Sequence, residues 1–311
     1  MIKIVFLGTP DFAVESLRKL NEDKNISVDL VISQKDKKRS RGKFTPTPVK
    51  QYAIENNLEC ITPENINSDE VYETLKELNP DLLVVVAYGQ IIGDRLLTRF
   101  KDRIINLHSS VLPKYRGAAP INWAIIEGEK ETGTTIMLVE KELDSGDILK
   151  IENTPIDENE NAEQLHDRLK IIGAKSLVEV VNNFDYYYNN RVKQNEKIAV
   201  YRGMLKKSMG KINWADNIKD LYNKFRGMYP WPGFYFNYDN KIVKIHEMNI
   251  IKENHDNEFG KVVKVADEGI KIAVNGGYVV LNKIQFPNKK AMYVKDFLKG
   301  NEFKTNIILE G

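Results

Sequence analysis

The chain has 311 residues, 42% of them hydrophobic and 29% charged, a length that suggests two domains. Its 46 basic and 44 acidic residues cancel only on average. Residues 201–311 carry 19 Lys+Arg against 12 Asp+Glu, and residues 1–200 carry 27 against 32. The basic second half points to a polyanionic partner, although solvated lysines produce the same balance. Cys60 is the only cysteine, which excludes a disulfide framework and a cysteine-based metal site, and His108, His166, His246 and His255 show no ligand spacing. No apolar run approaches a membrane span, and the sequence starts directly in a strand pattern without a basic leader. A cytoplasmic protein with no metal and no membrane partner is expected, acting as a monomer.

Taken in order, 2–7 is an apolar strand that Gly8-Thr-Pro10 turns into a helix with Phe12, Val14, Leu17 and Leu20 on one side. Strand, glycine turn and helix suit a nucleotide-binding opening, but G-x-G-x-x-G is missing, which argues against a dinucleotide. A second strand follows at 28–32. Residues 34–48 are basic and poor in core-forming types: Lys35, Lys37, Lys38, Arg39, Arg41 and Lys43 lie there, with Lys50 just beyond. Such a segment is expected to be a mobile surface loop suited to a phosphate backbone, or a solvated linker. Helices are expected at 49–57 and 70–78. The near-continuous apolar run 81–87 reads as a central parallel strand, with Tyr88-Gly-Gln-Ile-Ile-Gly93 at its carboxyl end, where a pocket can form.

The stretch 104–120 is the most informative. Ile104, Ile105 and Leu107 mark a buried strand, and Asn106 and His108, two apart, share one of its faces. Polar side chains there need partners or do chemistry. A satisfied core Asn–His pair fits the spacing as well as an active site does. Ser109 and Ser110 follow, Pro113 stiffens the exit, Gly117-Ala-Ala permits a turn, and Pro120 opens a helix to 127. A strand at 134–139, a tight turn at 143–149 holding Asp144, and a strand at 148–155 come next. Asn161 with Gln164 has the form of an N-cap pair ahead of a long helix marked by Leu165, Leu169, Ile172, Val180 and Phe184. Alternating strands and helices predict an α/β, doubly wound, Rossmann-like domain.

The pattern changes after a polar stretch at 189–197. A helix at 218–226 leads to Pro230-Trp-Pro-Gly233. Short strands are expected at 234–238, 242–248, 260–265, 270–274 and 278–284, punctuated by Asp239-Asn240, Asp267-Glu-Gly269 and Asn275-Gly-Gly277. Five short strands in about a hundred residues suggest an OB-fold-like β-barrel, a fold that often carries nucleic acid.

Asn106-x-His108, Ser110-Val-Leu-Pro113, Arg116-Gly-Ala-Ala-Pro120 and Asp144-x-Gly-Asp147 together resemble the formyltransferases that use 10-formyltetrahydrofolate. The resemblance runs through nearly the whole chain. It includes Phe6-Leu-Gly-Thr-Pro-Asp-Phe-Ala13, Arg41-Gly-Lys43, Pro48-Val-Lys50, Ala87-Tyr-Gly-Gln-Ile-Ile92, Pro230-Trp-Pro-Gly233 and the series Gln285-x-Pro287, Lys290-x-Met292 and Phe297-x-x-Gly300. Two places depart from the family: its loop is usually Ser-Leu-Leu-Pro where Val111 stands here, and Tyr201-Arg-Gly-Met-Leu205 differs from its usual form.

The resemblance implies a catalytic domain over 1–189, a linker over 190–205 and an OB-fold-like tRNA-binding domain over 206–311. It implies Asn106, His108 and Asp144 as catalytic residues. Ser110, Val111, Leu112 and Pro113 would cradle the folate, and Arg41 and Lys43 would contact tRNA. The acceptor would be the α-amino group of methionine on initiator tRNA, serving translation initiation. Attack of an amine on an N-formyl group creates an oxyanion that an amide donor such as Asn106 suits. His108 would donate to it or move protons, and Asp144 would orient the imidazole or take the amine proton itself. A family member acting on a sugar-nucleotide amine or on glycinamide ribonucleotide would share these three residues but needs no basic loop. A non-catalytic RNA-binding protein would not need the three intact.

Overall fold

Leu82-Leu-Val-Val-Val86 has no polar side chain to turn toward water, so it makes a strand only where both faces are covered. In the computed structural model, which describes residues 1–38 and 44–310, it does so inside the first of two units. That unit comprises residues 1–120, 131–155 and 164–202. The second comprises 121–130, 156–163 and the chain from 203 onward.

The first unit opens with β1 (Ile2–Gly8), α1 (Asp11–Glu22) and β2 (Ile26–Ile32). The two-residue strands β3 (Lys37–Lys38) and β4 (Phe44–Thr45) pair with each other on either side of the undescribed residues 39–43. Then come α2 (Pro48–Glu55), β5 (Cys60–Ile61), α3 (Asp69–Leu78) and β6 (Leu82–Val86). Caps fix the two helix starts: Lys50 N–H donates to Thr47 Oγ1 at 3.2 Å with Pro48 in the first turn, and Ser68 caps α3. The chain continues through α4 (Asp94–Arg99), β7 (Ile104–His108), β8 (Arg116–Gly117), α5 (Pro120–Ile126), β9 (Glu131–Leu138), β10 (Ile148–Pro155), α6 (Ala162–Asn182), α7 (Phe184–Asn189) and β11 (Tyr201–Arg202).

Seven strands form one sheet in the order β10-β9-β7-β6-β1-β2-β5. Pairing is parallel from β5 to β7 and antiparallel where β9 and β10 are added. The chain lays β2 and β5 on one side of β1, then returns to lay β6 and β7 on the other. Such a reversal opens a crevice at the carboxyl ends of the strands. One face packs Val5, Leu7, Leu30, Leu83 and Ile104 against Val71, Leu75 and Leu96 of α3 and α4. On the other face Gly173 of α6 has no room for a side chain: a Cβ there would lie 2.9 Å from Leu107. Tyr88 and Ile92, expected at a pocket, are buried in the α3/α4 cluster. The Tyr88 carbonyl accepts from Thr9 Oγ1 at 2.8 Å and Gln34 Nε2 at 3.0 Å, tying together the ends of β1, β2 and β6.

In the second unit α8 (Ile218–Gly227) precedes β12 (Phe234–Tyr238), β13 (Lys241–Ile251), β14 (Val262–Ala266), β15 (Gly269–Val274), β16 (Gly277–Gln285), β17 (Met292–Tyr293) and α9 (Val294–Phe297). The strands form an antiparallel sheet in the order β12-β13-β16-β15-β14, with β17 also on β16. All five short strands expected between the turn residues are present. Asp239 and Asn240 turn the first hairpin with φ of 46° and 58°, the conformation a two-residue turn of this hand requires. Trp214, Phe236, Met248, Leu281 and Phe303 belong to its core. Residues 121–130 and 156–163, which precede the change of pattern in the sequence, cluster with this unit. Asn122 Nδ2 donates to the Gly227 carbonyl at 2.7 Å, and Arg226 Nη1 donates to the carbonyls of Asp157 at 3.0 Å and Glu160 at 2.7 Å.

Burial pushes the Tyr88 phenol from 10.0 up to about 12, and its hydroxyl has no hydrogen-bond partner among the described residues. The unfolded chain therefore ionises first, and stability falls as pH rises from 10 toward 12. Tyr88→Phe is expected to leave the melting temperature at pH 7 unchanged or higher and to remove that alkaline loss, measured by thermal unfolding at pH 7 and pH 11.

Candidate active site

β7 is paired on both sides, to β6 with Val85 opposite Asn106 and to β9 with Thr135 opposite His108. Ile104 lies in the α3/α4 cluster and Leu107 meets α6, so strand alternation turns Asn106 and His108 to the α3/α4 face, as their spacing predicts. Asn106 is half-buried, and His108 is only 7% exposed. The Asn106 amide makes no side-chain hydrogen bond among the described residues.

The loop after β7 is held from below by one hydroxyl. Thr135 Oγ1 donates to the Ser110 carbonyl at 2.7 Å and accepts from Leu112 N–H at 3.1 Å. Ser110 Oγ donates to the Lys114 carbonyl at 2.6 Å. These bonds turn the chain back so that the Tyr115 carbonyl meets His108 Nε2 at 2.9 Å. A carbonyl only accepts, so Nε2 carries the proton in that bond and Nδ1 is left toward Asp144. Nδ1 is 3.7 Å from Asp144 Oδ2, and the same oxygen accepts from Gly117 N–H at 2.8 Å. Asp144 sits in the turn between β9 and β10 with φ 54°.

Among the residues named from sequence, His108 and Asp144 are brought together beside Asn106's strand. Ser110 and Leu112 are buried and structural in their contacts, while Val111 and Pro113 remain half-exposed. Arg41 and Lys43 lie outside the described residues. Of the neighbouring cations, Lys35 pairs with Glu64 and Lys50 with Asp36. No group of three or more metal-ligating side chains gathers among the described residues.

Residues 2–181 match the family described as formyl transferase, and residues 204–302 match the formyl transferase C-terminal domain. The chain belongs to the formyl transferase family. It is 50% identical over 307 residues to methionyl-tRNA formyltransferase of Finegoldia magna, covering 99% of each chain. It is 42% identical over 311 residues to methionyl-tRNA formyltransferase of Clostridium novyi, covering 99% of this chain and 100% of that one. Two solved structures share the family's fold at lower identity. An N-formyltransferase from Helicobacter canadensis, in complex with folinic acid and dTDP-3-aminofucose, has a TM-score of 0.65 at 21% identity over 90% of this chain and 99% of its own. HypX from Aquifex aeolicus, in complex with tetrahydrofolic acid, has a TM-score of 0.61 at 17% identity, covering 99% of this chain and 50% of its own.

Sequence reasoning missed Thr135 and the Tyr115 carbonyl. Thr is an ordinary strand residue and gives no signal by itself. The one clue is two adjacent threonines, Thr134 and Thr135, in a strand whose side chains from 132 to 138 are all buried. Replacing Thr135 with the isosteric Val leaves Leu112 N–H and the Ser110 carbonyl without that partner, a loss of about 1–3 kcal/mol for each buried group. Thr135→Val is expected to lower the urea midpoint and weaken folate binding, and Thr135→Ser to restore most of both, measured by urea unfolding and equilibrium titration with tetrahydrofolate.

Proposed function

We propose that the protein transfers a formyl group from 10-formyltetrahydrofolate to the α-amino group of methionine on initiator Met-tRNA. Full-length identity of 40–50% to methionyl-tRNA formyltransferases carries this reading. The folate supplies the one-carbon unit, and the half-exposed Val111 and Pro113 offer apolar surface beside β7 to hold it, with the backbone of Ser110 and Leu112 fixed behind.

The chain's own groups divide the work. The Asn106 amide has no side-chain partner among the described residues to give up and donates to the formyl oxygen as negative charge develops there. His108, with its proton on Nε2 held by the Tyr115 carbonyl, accepts the amine proton at Nδ1 and returns it to N10 of the folate as the bond from the formyl carbon to N10 breaks and tetrahydrofolate leaves. Asp144 stabilises the positive ring that results from 3.7 Å away, and Gly117 N–H keeps its carboxylate in place. Arg41 and Lys43 contact the tRNA acceptor end. The basic second half, read as an OB-fold-like barrel over 206–311 behind a linker over 190–205, holds the tRNA body. The Rossmann-like domain over 1–189 carries the chemistry, and the protein works as a cytoplasmic monomer without a membrane partner. A sugar-nucleotide amine is the second reading, since a structural neighbour at 21% identity was solved with dTDP-3-aminofucose. At that identity the likeness extends to the fold only.

Incubation with 10-formyltetrahydrofolate and initiator Met-tRNA, followed by mass analysis of the released amino acid, is expected to give formyl-methionine. Asn106→Ala is expected to lower kcat by about 10²–10³. Product from an amino sugar nucleotide but none from Met-tRNA would overturn the assignment of the acceptor. Arg41→Ala is expected to raise the KM for Met-tRNA far more than that for the folate, with tRNA binding weakening steeply as salt rises. Equal damage to both KM values would remove Arg41 from the tRNA contact.

A further inference from the structure

The Asp144 turn is held from behind by a polar cluster that the catalytic set does not include. Gln194 lies in a polar stretch with no chemical motif, yet it is only 5% exposed. Its Nε2 donates to the carbonyls of Asp144 and Gly146, both at 2.8 Å. Its Oε1 accepts from Arg116 Nε at 3.0 Å and Nη2 at 2.7 Å. Both amide donors and both acceptor positions are thereby used, which no shorter or apolar side chain reproduces. Arg116 is itself fully buried. Its other contacts are a two-pronged pair with Glu196, at 2.9 Å to Oε2 and 2.7 Å to Oε1, and the Tyr201 hydroxyl at 2.6 Å.

The same stretch is laced to the loop after β7 through its backbone. Val200 N–H donates to the Pro113 carbonyl at 3.1 Å, Arg116 N–H to the Val200 carbonyl at 2.8 Å, and Ala118 N–H to the Arg202 carbonyl at 3.0 Å. Residues 194–202 thus form a strap over the loop that offers the Tyr115 carbonyl and Gly117 N–H to His108 and Asp144. Asp144 is a non-glycine residue in the left-handed region, a conformation that lasts only where its surroundings over-determine it. The two carbonyls that Gln194 grips lie at that residue and two residues on, where a change of backbone angle would swing the carboxylate off His108.

We propose that Gln194 is a positioning residue for formyl transfer: clamped by buried Arg116, it sets the Asp144 turn, so the strap completes the active site. This rests on the reaction proposed above. Gln194→Glu keeps the shape and the attraction to Arg116 but turns an oxygen toward the two carbonyls. Steady-state kinetics are expected to show kcat reduced at least twentyfold, with both KM values within twofold of the parent. In an Asp144→Asn background the substitution is expected to cost less than threefold further, because the function it serves is already gone. Hydrogen exchange at the Gly117 amide, which donates to Asp144, is expected to quicken at least tenfold while the amides of β1 and β6 keep their protection.

A kcat within twofold of the parent, full multiplication of the two penalties, or an unchanged Gly117 amide would each overturn the proposal. If Gln194→Glu does not fold, Gln194→Ala, which opens the two carbonyls to water, is put through the same measurements. If the parent protein makes no formyl-Met-tRNA, the proposed reaction fails, and the Gly117 exchange alone decides whether Gln194 holds the turn.

Discussion

The polar end of a strand paired on both sides has to be satisfied by the chain itself. β7 has neighbours on either edge, and the loop that leaves it buries Ser110, Leu112 and Tyr115. Each buried N–H or C=O left without a partner costs about 1–3 kcal/mol, and a domain has only about 5–15 kcal/mol in hand. The loop meets this demand with local groups: Thr135 serves Ser110 and Leu112, Ser110 serves Lys114, the Tyr115 carbonyl takes His108, and Gly117 N–H takes Asp144. Asn106 stands apart, half-buried and without a side-chain partner among the described residues. Among the described residues its amide has no side-chain bond to break before it meets another group.

A buried cation is tolerated only when its partners replace most of the water it loses. Arg116 meets that condition with a two-pronged carboxylate, an amide oxygen and a phenol, the planar geometry for which guanidinium is suited. The pairing raises the Arg116 pKa, chiefly through the Glu196 hydrogen bond, and holds the Glu196 carboxyl below its ordinary range through the same bond. A depressed carboxylate contributes its stabilisation above the unfolded value and loses it as pH falls through the folded one. The strap is therefore in its charged, fully paired form at neutral pH. Charge that is costly to bury also has few alternative partners, so it gives the strap one register on the loop.

Much of the fold was legible because long elements repeat their pattern. The helix at 162–182 repeats an apolar side, the run 82–86 is apolar without a break, the five C-terminal strands are set apart by turn residues, and Asp239-Asn240 is a turn by its chemistry. The strands at 60–61, 116–117 and 201–202 were not legible, since two residues have no period. α4 and α7, six residues each, are too short for a helical stripe. The grouping of 121–130 and 156–163 with the second unit was hidden for a different reason: neither an apolar helix face nor the backbone carbonyls of a polar connection name their partner. At the site, Asn106 and His108 stood out as polar residues in a buried strand, and the resemblance supplied Asp144. Gln194 could not stand out, because glutamine in a polar stretch is ordinary until its contacts fifty residues away are seen. Arg41 and Lys43 lie outside the described residues and rest on sequence alone.

The geometry also bears on whether transfer is direct or passes through the protein. Acyl transfer through an enzyme-bound intermediate needs an exposed nucleophile with a base beside it. The Ser110 hydroxyl is the obvious candidate by position, but it is fully buried and donates its proton to the Lys114 carbonyl. The Cys60 thiol is pushed up to about 11, chiefly by burial, and stays protonated at neutral pH. His108 spends one nitrogen on the Tyr115 carbonyl and turns the other toward Asp144, an arrangement for moving a proton. The Asn106 amide can hold an oxygen. A donor for an oxygen and an acceptor for a proton, with neither the Ser110 hydroxyl nor the Cys60 thiol activated as a nucleophile, suit an amine attacking the formyl carbon directly. Catalysis then depends on how rigidly a few dipoles are aimed, so the bonds that set the loop and the Asp144 turn matter as much as the residues that touch the substrates.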